Sequence, residues 1–108
     1  MVKAHSKRPA KEENLLAKVK AAIESGNYAD VSHAQIRQAE RNITRPEYVY
    51  VLTKSGWHEK RKDSYSEEFK AWNYAIRGST VDEREIRVIV SFDANDLLII
   101  TVIDLEVS

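Results

Sequence analysis

No cysteine occurs in the 108 residues, so a disulfide framework and a Cys-based zinc site are both excluded. A reducing, cytoplasmic setting is the expectation that follows. Two prolines and three glycines leave few obligatory breaks, and no run is apolar and long enough to span a bilayer. The opening "MVKAHSKRPAKEE" is basic but lacks the apolar stretch of a secretory signal. GxxxxGK[ST], GxGxxG and HExxH are all missing, as are serine-nucleophile motifs. His5, His33 and His58 do not have metal-ligand spacing, so neither metal nor cofactor is expected.

Net charge is zero, but it is unevenly spread. From Lys3 to Lys62, 13 cations face 7 carboxylates, a surplus of +6; from Asp63 onward, 4 cations face 10 carboxylates, a deficit of −6. Such a split fits an anionic partner for the basic part. It fits equally well two parts of one chain that attract each other.

Residues 1–8 read as a tail and 9–108 as one domain. Pro9 suits a first helical turn, and Glu12 and Glu13 suit its positive end. Leu15, Leu16, Val19, Ala22 and Ile23 form an apolar stripe at helical spacing, stopped by Ser25-Gly26-Asn27. Ser32 and Gln35 have the form of a capping box for a second helix, which Asn42 would end. Thr44 and Glu47 repeat the pattern, with Pro46 in the first turn of a third helix, Arg45 to Lys54, that turns Val49 and Leu52 inward and stops at Gly56.

Strands follow. "WHEKRKD" alternates weakly and places His58, Lys60 and Lys62 on one face. "AWNYAIRG" places Trp72, Tyr74 and Ile76 together; "EIRVIVSF" does the same for Ile86, Val88, Val90 and Phe92. "LLIITVIDL" is almost wholly apolar, which predicts a central strand covered on both faces. A hairpin pairing Phe92 with Leu97 sets Val90 beside Ile99 and Val88 beside Thr101. The expected architecture is α+β, with N-terminal helices packed on one face of a roughly four-stranded antiparallel sheet.

One constellation has the makings of a site. His33, Arg37 and Arg41 are spaced by four, so they share a helix face. Arginines grip phosphates with planar, permanently charged forks, and histidine moves protons near neutral pH. Together these serve phosphodiester cleavage without a metal. The same face also fits a solvated surface with Arg37 paired to Glu40. Lys60 would extend a phosphate surface, or would protect an edge strand from aggregation. Tyr74 either stacks a base or lies at the rim of the core. Thr101 interrupts an apolar row, and its hydroxyl needs a partner, either a site residue or the backbone.

The run His33-Ala34-x-x-Arg37-x-x-x-Arg41-x-Ile43-Thr44, with "WNYAIRG" and "IRVIVSF…LLIITVIDL", resembles the domain of unknown function 4258, over roughly Tyr28 to Leu105. Gln38 stands where that family often has methionine, and Asn42 where glycine is common. The resemblance implies the fold of RelE and barnase-like toxins, many of which cleave RNA without metal, and some members sit beside an antitoxin. It places His33, Arg37, Arg41 and Thr101 at the motif positions. His33 would then be the general acid or base, Arg37 and Arg41 the phosphate clamp, and Tyr74 and Arg87 accessory contacts. RNA and an antitoxin-like protein are the partners that follow. A non-catalytic RNA- or protein-binding module and a purely structural protein are the alternatives.

Overall fold

A computed structural model describes residues 8–31, 43–94 and 96–106. Helix α1 (Leu15–Ser25) buries Leu15 and Val19 through its apolar stripe. Gly26 ends it at φ 79, a left-handed conformation in which a side chain would be strained. The helix starts at Leu15 rather than near Pro9, so Glu12 and Glu13 do not sit in its first turn. The reason lies across the molecule. The Trp72 indole donates to the Pro9 carbonyl at 2.8 Å, and the Tyr74 hydroxyl accepts the Glu12 N–H at 3.0 Å. These bonds draw residues 9–12 over the sheet as a strap.

Strand β1 (Tyr28–Asp30) comes next and was not legible as a strand. The expected helix from Ser32 to Asn42 lies outside the described residues, as do His33, Arg37 and Arg41. Helix α2 (Arg45–Tyr50) opens with the expected capping box, in which Glu47 accepts the Thr44 N–H at 2.7 Å. The Val51–Ser55 segment continues it with a wider π turn, closed by Gly56 N–H on the Val51 carbonyl at 2.8 Å. Tyr48, Val51 and Leu52 are its buried residues, with Val49 packed beside them. A Cβ on Gly56 would lie 2.3 Å from the Val51 oxygen and 2.7 Å from the Ile76 side chain, so only glycine fits this approach to the sheet.

The remaining strands are β2 (Trp57–His58), β3 (Ser64–Ser66), β4 (Ala71–Ser79), β5 (Glu85–Phe92) and β6 (Leu97–Asp104). The sheet runs β1-β6-β5-β4-β2, with β3 also paired to β4. It is therefore six-stranded and mixed, not four-stranded and antiparallel, because β1 pairs parallel with β6. The expected long first strand shrinks to Trp57–His58, and Lys60–Lys62 forms a 3-10 turn. His58, Lys60 and Lys62 consequently share no strand face.

One face of the sheet carries Tyr74, Ile76, Ile86, Val88, Val90, Leu97, Ile99 and Val102, all buried against α1, α2 and the π turn. Burying each such side chain contributes about 1.5–3 kcal/mol. The β5–β6 hairpin pairs Phe92 with Leu97 and Val90 with Ile99, as its pattern predicts. A register shift then intervenes. Ile89 pairs with Thr101 and Val88 with Val102, so Val88 does not lie beside Thr101. Ile100 is the extra residue of the bulge. It sends Val102 into the core and turns Thr101 to the opposite, outer face. Strand β6 is interior to the sheet, but Leu98, Ile100 and Ile103 are only half-buried, so its outer face is not fully covered by described residues.

Candidate functional site

Residues paired across neighbouring strands project to the same face. Trp57 pairs with Arg77, and Arg77 with Arg87. Those three side chains form a row across the outer face. In the adjacent row, Ala75 pairs with Ile89 and Ile89 with Thr101. Two guanidinium groups directly opposite each other repel. Glu59 offsets this. Its Oε1 accepts the Arg87 Nε–H at 2.8 Å, and its Oε2 accepts from Arg87 at 3.3 Å and from Arg77 at 3.5 Å. Arg77 is held from its other side by Glu85, at 2.8 Å.

Glu59 is 5% exposed, and among the described residues it is the one acidic residue buried as a whole. Its place follows from the chain path, since its N–H bonds the Ala75 carbonyl at 2.9 Å and continues the β2–β4 edge. The Arg87 hydrogen bonds hold its carboxyl below the usual glutamate range; burial opposes them, and the charges of Arg87 and Arg77 add to them. The stabilisation from this group is therefore complete above the ordinary glutamate value of about 4.3 and is lost as the pH falls through its lowered folded value. Urea midpoints followed from neutral to acid pH should fall further in the wild type than in a Glu59→Gln variant. Parallel curves would contradict this placement.

Of the expected site residues, Arg87 and Thr101 share the outer face, two residues apart in register. Tyr74 does not join them. It lies on the core face at 4% exposure, its ring edge-on to His58 at 5.7 Å, and burial pushes its phenol upward and keeps it neutral. It is a core-rim residue beneath the strap. Lys60 is exposed in the turn after β2. His33, Arg37 and Arg41 belong to the undescribed stretch, whose flanks are fixed at Val31, which donates to the Ile99 carbonyl at 3.0 Å, and at Thr44.

Glu59 and Arg77 were missed by pattern reading. The available signal was Arg77 opposite Arg87 on adjoining strands, which demands a carboxylate, and Glu59 is the only one between Val51 and Lys62.

A second polar cluster lies on the core side. Asp63, its side chain fully buried, accepts from Ala75 N–H at 2.9 Å, pairs with His58 at 2.8 Å and with Lys11 at 3.0 Å. Asp63, just before β3, is thereby tied to β4 through Ala75, to β2 through His58 and to the strap through Lys11. An open cleft of about 650 Å³ lies beside the strap, where Lys18 and Glu12 pair at 2.8 Å. Two N-terminal cations thus answer carboxylates of the acidic part, Lys11 with Asp63 and Arg8 with Glu67. Self-attraction accounts for that portion of the charge asymmetry. Among the described residues, no group of three or more His, Asp or Glu could hold a metal ion, and no helix is long and apolar enough to cross a membrane.

No curated protein and no solved structure matches the chain. A family model does, over residues 31–104, which excludes α1 and β1 and includes every residue of the outer-face row. The chain belongs to the family described as Domain of unknown function (DUF4258).

Proposed function

We propose that this chain is a toxin-like ribonuclease acting on RNA in the cytoplasm, with the outer sheet face as its phosphate site. The observation that carries the reading is Glu59, a carboxylate kept ionised between two arginines. RNA cleavage through its own 2′-hydroxyl needs a base for that hydroxyl, cations for the charge gathering on phosphorus, and an acid for the departing 5′-oxygen. Glu59 takes the proton as the 2′-oxygen bonds to phosphorus. Arg77 and Arg87 hold the non-bridging oxygens. The phosphorus–5′-oxygen bond breaks, His33 protonates the leaving oxygen, and a 2′,3′-cyclic phosphate remains. Arg37 and Arg41 complete the clamp, and Thr101 orients a member of the group. No metal enters these steps.

A carboxylate held below its usual pKa is a weak base. The substrate corrects this. When the arginines turn to phosphate, Glu59 loses the hydrogen bonds that depress its pKa, and its basicity rises as the substrate arrives.

The test is incubation with mixed RNA in EDTA, with His33→Ala alongside. Wild-type cleavage leaving 2′,3′-cyclic ends, reduced about 10²–10⁴-fold in the variant, is the expected result. Undiminished cleavage by His33→Ala removes His33 from the chemistry. The saturation of Arg77 and Arg87 by Glu59 and Glu85 favours a second reading, a non-catalytic RNA-binding module in which the network only fastens β2. That module would bind RNA without turnover.

A further inference from the structure

The β2 edge carries charge of one sign. Between Val51 and Lys62 the cations are Lys54, Lys60, Arg61 and Lys62, all exposed, and the one carboxylate, Glu59, is buried and already paired. The next acid, Asp63, has a fully buried side chain engaged by His58 and Lys11. None of the four cations has an ion-pair partner among the described residues. In their midst Trp57 is 51% exposed. Its position is specific, because it is the cross-strand partner of Arg77 and stands on the same face as the Glu59–Arg77–Arg87 network. Directly opposed residues have Cβ atoms about 4.5–5.5 Å apart. The basic turn begins three residues later, at most about 11 Å along the chain.

An indole beside a guanidinium, followed by three unpaired cations, matches single-stranded RNA, whose unstacked base needs a flat apolar partner and whose backbone needs positive charge. We infer that Trp57 is the stacking platform for a base next to the phosphate held by Arg77 and Arg87, and that Lys60, Arg61 and Lys62 track the flanking backbone. This inference rests on the outer face being the phosphate site, and it names the substrate as single-stranded. A duplex keeps its bases stacked on one another and offers Trp57 none.

The experiment uses the full chain and a non-cleavable 2′-O-methyl oligouridine, so binding is read apart from cleavage. Quenching of Trp57 fluorescence on titration is expected, assigned with a Trp72→Phe background. Trp57→Ala should weaken binding about tenfold or more, and Trp57→Tyr should restore most of it. Replacing Lys60, Arg61 and Lys62 by glutamine should reduce the slope of log affinity against log salt by roughly 2. A matching RNA duplex should bind more weakly. Silent Trp57 fluorescence while the oligonucleotide binds, or an unchanged salt slope, overturns the inference. Binding with quenching but no cleavage of ordinary RNA would leave this docking edge standing and dismiss the ribonuclease reading. Cleavage with Trp57→Ala indistinguishable from wild type in both KM and affinity would do the reverse.

Discussion

Replacing Glu59 with glutamine is expected to lower RNA cleavage by about 10²–10⁴-fold, the usual contribution of a general base. Glutamine keeps the shape and one acceptor oxygen, but it has no charge to set between Arg77 and Arg87. Removing one member of a buried ion pair costs up to about 3–5 kcal/mol, so the variant is assayed at a temperature where circular dichroism shows it folded. Glu59→Asp supplies the control. It retains the charge on a side chain shorter by one methylene, so it should remain folded and cleave at an intermediate rate. A folded Glu59→Gln protein that cleaves at the wild-type rate would reduce Glu59 to a fastening between β2 and the sheet.

The second large effect is on stability, and it comes from outside the family-matched residues 31–104. Val19 is fully buried and Leu15 is 2% exposed, both in the core that α1 shares with the sheet. Val19→Asp would place a carboxylate with no partner in that core, at a cost of several kcal/mol against a total stability of about 5–15. The variant should be unfolded at room temperature by circular dichroism. Leu15→Ala should lose about 2–5 kcal/mol and remain measurable by urea denaturation. A fragment limited to residues 31–104 would lack α1 and the β1 strand beside β6 as well, and should not fold alone. If Val19→Asp melts like wild type, α1 is an appendage rather than part of the core.

The features legible in the sequence are those with local physical causes. The stop at Gly26 and the capping box at Thr44 and Glu47 are short-range chemistry, and both are present. Strands β4 and β5 announce themselves by period-two alternation, and Tyr74, Ile76, Ile86, Val88 and Val90 are buried as it predicts. Inward Trp72 and Phe92 are only half-buried, and outward Ala75 and Ser91 are buried as well. What escaped depends on distant partners. Residues Tyr28–Asp30 are too few to show a period and become a strand only because β6 offers them an edge. Pro9 to Glu12 would suit a helix, but Trp72 and Tyr74 claim their backbone groups. The bulge at Ile100 changes the face of Thr101 by one residue, a shift that an unbroken apolar run conceals. Glu59 sits in a charged stretch that reads as solvated surface, and its burial arises only when two arginines meet across β4 and β5.

The fold therefore places a carboxylate, two arginines and an exposed tryptophan on one sheet face. The claim that this face receives a phosphate can be examined without relying on turnover. The most direct measurement follows the side-chain Nε–H resonances of Arg77 and Arg87 by nuclear magnetic resonance while a 2′-O-methyl oligonucleotide is added. Both donate to carboxylates in the free protein, Arg77 to Glu85 and Arg87 to Glu59, each at 2.8 Å. Both resonances should shift saturably with the oligonucleotide, as the guanidinium groups turn toward phosphate. Unmoved Arg77 and Arg87 resonances in a protein that demonstrably binds the oligonucleotide would place the RNA elsewhere and contradict that claim.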